Sequence, residues 1–242
     1  MSENKTWAIS LAHMEPTVIA MSLTQFLRTN AGASLPDWTL VDHHWPLDPE
    51  NFKECLKSIA PLVSARIISP EKNLGGHGGF TWAMNHLPIG KHDFVLGYDP
   101  DSYPITSGWM SAMKAVLRAD PAIGSVSLWH TGISGRDWRE SMVGGYRVRT
   151  FPHAEMLNVT MWRASYLLPS LEGEYAYYGQ VEWPMYRRAQ RLGLKQVYLT
   201  DYHETQPPIA HPKIYTDWKQ AHISHKFKGN FSEWVDHVKS QS

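Results

Sequence analysis

The sequence predicts an α/β fold in which a mostly parallel central sheet is flanked by helices. Over residues 7–129 of the 242, short apolar segments typical of strands alternate with segments typical of helices. The connections between these segments are short, and repeated strand-then-helix units of this kind form parallel sheets covered by helices. No linker-like stretch divides the chain, so we expect one domain.

The predicted elements follow one another closely. Residues 7–12 form the first strand, and the helix after it, 17–29, ends at Asn30-Ala31-Gly32, a typical C-terminal signal. The next elements, in chain order, are a strand at 38–42, a helix at 50–59, a strand at 65–69, a helix at 79–86, a strand at 93–98, a helix at 109–118 and a strand at 124–129.

The alternation breaks after residue 129. Residues 130–153 are rich in Gly, Arg and Ser and predict a loop or an irregular hairpin. A strand at 156–162, a helix at 183–192 and a last strand at 197–201 follow. The polar tail favours one or two helices. We therefore expect a main domain over residues 1–206 and a helical or irregular extension of the same domain over 207–242.

Composition excludes several function classes. Lys plus Arg and Asp plus Glu both number 23, and this balance argues against general binding of nucleic-acid phosphates. The single cysteine, Cys55, cannot form an internal disulfide, which is typical of a reducing compartment. The N-terminus lacks the apolar core of a signal peptide, and no run of about 18 apolar residues predicts a membrane span. We expect a cytoplasmic protein with at most peripheral contact to a membrane.

The acidic residues Asp99 and Asp101, separated by Pro100, directly follow the apolar segment DFVLGY. Loops at the carboxyl ends of parallel strands commonly hold the ligand. Mg²⁺ and Mn²⁺ take oxygen ligands and share the phosphate oxygens of nucleotides. Asp and Pro are also common in turns, so the pair by itself leaves open a turn or a metal site.

The surrounding segments, EKNLGGHGGFTWAMNHL at 71–87 and SYPITSGWMSAMKAVLRADPAIGSVSL at 102–128, extend this pattern. Together with the acidic pair they resemble the core of the family 2 type of glycosyltransferases, which have the GT-A fold. That family shows Asn-x-Gly, a helix ending in Asn, an apolar strand, Asp-x-Asp with Ser and Pro after it, and a Trp-led helix finishing at Asp-Pro. The matching positions are Asn73, Gly75, Asn85, Asp99, Asp101, Ser102, Pro104, Trp109, Asp120 and Pro121.

The resemblance implies a metal-dependent glycosyltransferase that moves a sugar from a nucleotide-diphospho-sugar, with a UDP-sugar as the expected donor, to an acceptor hydroxyl with inversion. Mn²⁺ or Mg²⁺ would bridge Asp101 and the diphosphate, and Asp99 would contact the ribose or a metal-bound water. Asp42 would accept the imide N–H of uracil, or else cap the turn after its strand. The implied donor-binding residues are Ala12, His13, Asp42, Lys72, Asn73, Gly75, Asp99, Pro100 and Asp101.

Two further residues come from the last third of the chain. The segment GQVEWPMYRRAQRLGLKQVYL at 179–199 resembles the family's acidic-pair helix, and alignment on its Arg and Gly places Glu182 at the catalytic carboxylate. Val181 stands where the first acid of that pair usually is. We expect Glu182 to be the general base, although Glu also favours helix N-termini. His203 follows the last strand, where many GT-A enzymes place a further metal ligand alongside Asp99 and Asp101.

Two other function classes stay open. A sugar nucleotidyltransferase pairs a similar sheet with metal-binding acids, but its Gly-rich stretch with Arg and Lys is not matched by LAHMEPTVIA after the first strand. A non-catalytic sugar- or partner-binding module is favoured by Val181 and disfavoured by the retained acids.

The acceptor is not specified by the sequence; a saccharide, a lipid-linked molecule and a modified nucleic acid all fit. The arginines of the Gly-rich region could contact an anionic acceptor or be solvated; they are Arg136, Arg139, Arg147 and Arg149.

Overall fold

A computed structural model describes the chain over most of its length. The described residues are 4–130, 139–150, 158–167, 188–205, 208, 211–224, 226–229 and 231–241. Within them, one ten-stranded sheet is flanked by helices, which confirms the predicted fold class. None of the helices in these ranges combines the length and the apolar character needed to cross a bilayer.

The strands are β1 (Thr6–Ala12), β2 (Asp37–Asp42), β3 (Arg66–Ile68), β4 (Phe94–Tyr98), β5 (Tyr103–Pro104), β6 (Ile123–His130), β7 (Arg139–Val143), β8 (Tyr146–Thr150), β9 (Val159–Arg163) and β10 (Lys195–Thr205). The helices are α1 (Pro16–Thr29), α2 (Pro49–Ile59), α3 (Gly75–Asn85), α4 (Trp109–Ala119), α5 (Ala164–Leu167), α6 (Lys213–Ile223) and α7 (Phe231–Ser240), with a 3₁₀ helix at Ala60–Val63. Residues 188–191 are also helical; residues 183–187 of the helix predicted there lie outside the described residues.

The sheet is mixed rather than mostly parallel. Its order is β3-β2-β1-β4-β9-β6-β10-β8-β7, with β5 paired to β10. The pairs from β3 to β4 and the pair β6–β10 are parallel. Strand β9 lies between β4 and β6 and is antiparallel to both. The pairs β5–β10, β8–β10 and β7–β8 are antiparallel as well. The sequence identifies a strand near β9 but not its direction, because direction depends on contacts with distant segments.

Both faces of the sheet are covered, as alternation along β1 shows. Ala8 and Ala12 join one hydrophobic cluster, whereas Trp7 and Ile9 join the other. The first cluster is covered by α1, α2, α4, α6 and α7, and the second by α3 and α5. Burial on both faces explains why the central strands are apolar throughout instead of alternating with polar residues.

The region predicted as a loop or irregular hairpin contains a regular hairpin over residues 139–150. Strands β7 and β8 are joined by Gly144 and Gly145, which both have positive φ. A two-residue turn that requires φ > 0 at both positions favours glycine, because glycine lacks a Cβ. In this hairpin Arg147 pairs with Asp201, and Arg149 pairs with Glu140, so neither arginine is simply solvated. Arg136 lies outside the described residues.

The polar tail forms two helices, as expected, and they pack into the main core. Tyr215, Trp218 and Phe231 belong to the first hydrophobic cluster together with Trp45. The ring of Phe231 lies 5.1 Å from that of Trp45, centroid to centroid. This packing places α6 over the carboxyl ends of β1 and β4. The domain boundary at 206/207 stays a prediction.

Candidate active site

The Asp99-Pro100-Asp101 segment forms a tight turn at the carboxyl end of β4. The Asp99 N–H donates to the Asn158 carbonyl at 2.9 Å, and the Ser102 N–H donates back to the Asp99 carbonyl at the same distance. Pro100 is buried in this turn. The turn therefore holds the two acidic residues at the edge of the sheet where ligands bind in open α/β folds.

Helix α1 holds the chain that follows this turn. Ser22 Oγ donates to the Ser102 carbonyl, and Gln25 Nε2 donates to the Pro104 carbonyl at 2.6 Å. Tyr98 Oη donates to the Ser22 carbonyl at 3.0 Å, and burial raises the pKa of this phenol so that it stays protonated. These buried polar contacts hold the backbone next to the acidic pair in place.

The two acids of the pair have different surroundings. Asp99 is exposed, whereas the Asp101 side chain is 13% exposed. Asp101 Oδ2 lies 3.6 Å from His211 Nε2 and 3.9 Å from Lys219 Nζ. Burial by itself would raise the pKa of Asp101, but His211 and the charge of Lys219 outweigh it and hold that pKa below its usual value. Asp101 is therefore ionised.

Glu204 on β10 is a third carboxyl at this site, although it was not among the expected residues. It is 2% exposed, and its backbone pairs with Pro104 just after the acidic turn. Burial, followed by the negative charges of Asp99 and Asp101, raises the pKa of Glu204 well above its usual value. One signal in the segment VYLTDYHE could have identified Glu204 from the sequence. Glu204 follows the predicted last strand almost as closely as His203 does.

The structure does not bring His203 to the acidic pair. Its N–H donates to Thr106 Oγ1 at 3.1 Å, after an irregularity in β10 between Leu199 and His203. Successive side chains of a strand point to opposite faces, so His203 points away from the face that Glu204 shares with the acids. The imidazole beside Asp101 belongs to His211, a residue of the polar tail for which the sequence contains no specific signal.

The residues expected to bind the nucleoside lie at the ends of β1 and β2. Ala12 is fully buried, and its carbonyl accepts from the His43 N–H at 3.0 Å. His13 Nδ1 lies 2.7 Å from the Leu11 carbonyl, to which it donates, and burial lowers the pKa of His13. The neutral ring then has Nε2 as an acceptor.

Asp42 caps the turn after β2. Its Oδ1 accepts from the His44 N–H at 3.0 Å, and its Oδ2 accepts from Ser69 Oγ at 3.2 Å. The residue is 2% exposed. Of the two open interpretations, the turn cap is thus present in the structure, and each carboxylate oxygen retains a second lone pair.

The loop before α3 contains the remaining predicted residues. Asn73 Oδ1 accepts from the Gly75 N–H at 2.9 Å, and Gly75 has a φ of 70°, which favours glycine. Lys72 is exposed in this loop. Glu182 and Val181 lie outside the described residues, so the expected general base stays a prediction.

The described residues could hold a divalent ion only if a substrate supplied some of the ligands. Among the described residues, no three His, Cys, Asp or Glu side chains cluster closely enough to hold a metal by themselves. Asp101 and His211 supply one carboxylate and one imidazole, a donor set suited to Mn²⁺, and His211 Nδ1 is buried without a hydrogen-bonding partner. Phosphate oxygens and water would complete the shell, as is usual for ions bound with nucleotides.

Solved structures with the same architecture identify the fold. GalNAc-T7, determined with UDP, GalNAc and Mn²⁺, aligns over 87% of this chain with a TM-score of 0.69 and 10% identity. The mannosyltransferase PcManGT from Pyrobaculum calidifontis, determined with GDP-Man and Mn²⁺, aligns over 91% with a TM-score of 0.62 and 13% identity. This protein has the GT-A fold. S. aureus TarS 1-349 with UDP-GlcNAc aligns over 86% with a TM-score of 0.52 and 16% identity.

The GT-A fold is what these similarities establish, because one fold hosts many substrates and reactions. The chain spans 44% of GalNAc-T7, 62% of PcManGT and 60% of the TarS fragment. No protein-family model matches the sequence, and no curated protein matches it. The function therefore depends on the residues at the site.

Proposed function

We propose that this protein is a glycosyltransferase that uses a divalent metal ion to transfer a sugar from a nucleotide-diphospho-sugar to an acceptor hydroxyl. The observation that carries the proposal is the ionised Asp101 beside His211, at the carboxyl end of β4 in a GT-A fold. The solved structures with UDP or GDP-Man and Mn²⁺ support the same ligand class for this chain.

The metal ligands in this proposal are Asp101 and His211. A bound Mn²⁺ or Mg²⁺ ion would neutralise the charge that builds on the diphosphate as it leaves. Asp99 is exposed beside this position, and we assign it to the ribose of the donor or to a water molecule. His211 replaces His203 as the imidazole ligand because His211, and not His203, lies next to the acid.

The nucleoside of the donor would occupy the ends of β1 and β2. Ala12 is packed in the hydrophobic core at the end of β1, and the neutral His13 that follows it offers an acceptor nitrogen. Asp42 would accept the imide N–H of uracil with a lone pair that the turn leaves available. This arrangement favours a UDP-sugar as donor, with Lys72, Asn73 and Gly75 in the loop on the phosphate side.

Transfer requires one proton acceptor. The acceptor hydroxyl loses its proton to Glu182 while its oxygen forms the new bond to the anomeric carbon. The bond from that carbon to the diphosphate oxygen breaks, and its electron pair stays on the diphosphate. A single displacement of this kind inverts the anomeric configuration.

The test is nucleotide release from a panel of UDP-, GDP-, TDP- and CMP-sugars, with and without Mn²⁺. Wild type is compared with Asp101→Asn and with Asp37→Asn, a control acid paired with Lys5 at the opposite end of the sheet. Release from one nucleotide-sugar that needs both Mn²⁺ and Asp101 is the expected result. If no member of the panel binds or turns over, the proposal fails. Metal-dependent binding without any turnover would instead favour the sugar-binding module.

A further inference from the structure

Helix α6 brings a lysine into the acidic site. Lys219 Nζ lies 3.9 Å from Asp101 Oδ2 and 5.0 Å from the centroid of the Tyr215 ring. The Lys219 side chain is only 21% exposed, whereas Lys213 on the same helix is 86% exposed and pairs with Asp217. The position of Lys219 is therefore set by the fold rather than by solvent.

The packing of α6 explains this position. Tyr215 and Trp218 are 0% and 4% exposed, and they share one side of the helix with Lys219 because residues three and four apart lie on the same face. Tyr215 packs against His211 at 5.1 Å and Phe231 at 5.1 Å between ring centroids. The aromatic contacts thus direct the ammonium group towards the acidic turn.

The charges at the site predict what this ammonium does when ligands bind. Without ligands, Lys219 and His211 share the carboxylate of Asp101. A divalent ion on Asp101 would displace Lys219 from this carboxylate and add two positive charges beside a poorly hydrated lysine. A doubly negative diphosphate that enters with the ion would balance these charges, and a lysine binds phosphate well as a compact point charge.

We propose that Lys219 is a diphosphate-binding residue of the donor site. Without ligands, Lys219 contacts Asp101. When the metal ion and the diphosphate bind, the ion takes the place of Lys219 at Asp101, and Lys219 contacts the diphosphate instead. During transfer its charge would stabilise the negative charge on the departing diphosphate. This inference rests on the function proposed above, since it assumes a diphosphate-containing donor.

Two binding measurements separate this role from a purely structural one. Lys219 competes with a metal ion for Asp101 in the absence of nucleotide, so its removal should tighten the binding of Mn²⁺ alone. It attracts the diphosphate once the ion is present, so its removal should weaken the binding of UDP or GDP with Mn²⁺. If Lys219 only stabilised the fold, its removal would weaken both the binding of Mn²⁺ alone and the binding of UDP or GDP with Mn²⁺.

The experiment compares Lys219→Met, Lys219→Arg and the control Lys213→Met with wild type by titration calorimetry. Probes are Mn²⁺ alone, UDP and GDP with saturating Mn²⁺, and uridine and guanosine as ligands without phosphate. For Lys219→Met we expect at least about tenfold weaker nucleoside diphosphate binding, the size of a lost charge-assisted contact, with unchanged nucleoside binding. Lys219→Arg keeps the charge and should retain affinity within about threefold of wild type. The control should behave as wild type.

Each outcome decides one point. Equal nucleoside diphosphate affinity for Lys219→Met and wild type overturns the role of Lys219 and leaves the proposed function intact. Parallel losses of Mn²⁺ and nucleoside affinity also overturn it, in favour of a structural role. If wild type itself binds neither UDP nor GDP with Mn²⁺, the proposed function fails, and this inference fails with it. Should Lys219→Met not fold, Lys219→Gln measured against Lys219→Arg makes the same comparison.

Discussion

His211 Nε2 lies 3.6 Å from Asp101 Oδ2, although the two residues come from segments that are remote in sequence. Asp101 follows β4 in the centre of the sheet, and His211 follows β10, just before α6. The contact exists because the aromatic residues of α6 and α7 pack onto Trp45 and join the main core. The C-terminal helices thus help to build the candidate metal site.

Replacing His211 should weaken metal binding. Loss of a nitrogen ligand in His211→Ala should lower Mn²⁺ affinity about tenfold or more in the presence of nucleotide. Mg²⁺ affinity should fall less, because Mg²⁺ prefers oxygen ligands. Titration calorimetry with each ion measures both effects, and His203→Ala is the matched control. A loss for His203→Ala with none for His211→Ala would restore His203 as the ligand.

Glu204 should make the stability of the metal-free protein depend on pH. Its pKa in the folded protein is raised above the ordinary value of 4.5, so the folded state keeps a proton that the unfolded chain releases above that pH. The contribution of Glu204 is fully favourable below pH 4.5, and the free energy of unfolding should then fall by about 1.4 kcal/mol per pH unit up to the folded pKa.

Glu204→Gln removes this proton exchange. In EDTA the Tm of Glu204→Gln should match that of wild type near pH 4.5 and exceed it at neutral pH. The control Glu54→Gln, at an exposed site, should have the Tm of wild type at every pH. Melting curves across this pH range measure the difference. A constant gap between Glu204→Gln and wild type at every pH would contradict the raised pKa.

Gly79 should not tolerate a side chain. A Cβ at this position would overlap the imidazole of His43, which is 2% exposed and has little room to move. Gly79→Ala should therefore lower the free energy of unfolding by about 1–3 kcal/mol, as overpacking does, despite the better helix propensity of alanine. Denaturant unfolding measures this change. In the double variant with His43→Ala, the penalty of Gly79→Ala should shrink, and simple additivity would count against the clash.

Asp42 should affect uracil recognition more than folding. Asp42→Asn keeps one acceptor oxygen for the His44 N–H, and Ser69 Oγ can accept from the new amide, so Tm should change little. Affinity for UDP with Mn²⁺ should fall about tenfold if the carboxylate accepts the imide N–H. Ser69→Ala is the control, since it keeps the carboxylate. Equal UDP affinity for Asp42→Asn and wild type would leave the turn cap as the sole role.

The helix at residues 75–85 shows where local signals mislead. The sequence predicts a helix over residues 79–86. The helix begins at Gly75, after the Asn73 side chain accepts the Gly75 N–H, and close packing on His43 requires a glycine at position 79. The reason for the glycine is His43, which follows β2, and no local pattern around residue 79 contains it.

Local sequence patterns predict most strands and helices of this protein and its acidic turn. Apolar strands such as β1 and β4, and the Asp99-Pro100-Asp101 turn directly after β4, depend on residues adjacent in the chain, where periodicity and turn chemistry act. Tertiary contacts set the antiparallel direction of β9 and bring Asp101 close to His211, Lys219 and Glu204. Those contacts join distant segments, and they form because burying Tyr215 and Phe231 against the core lowers the free energy of the whole fold.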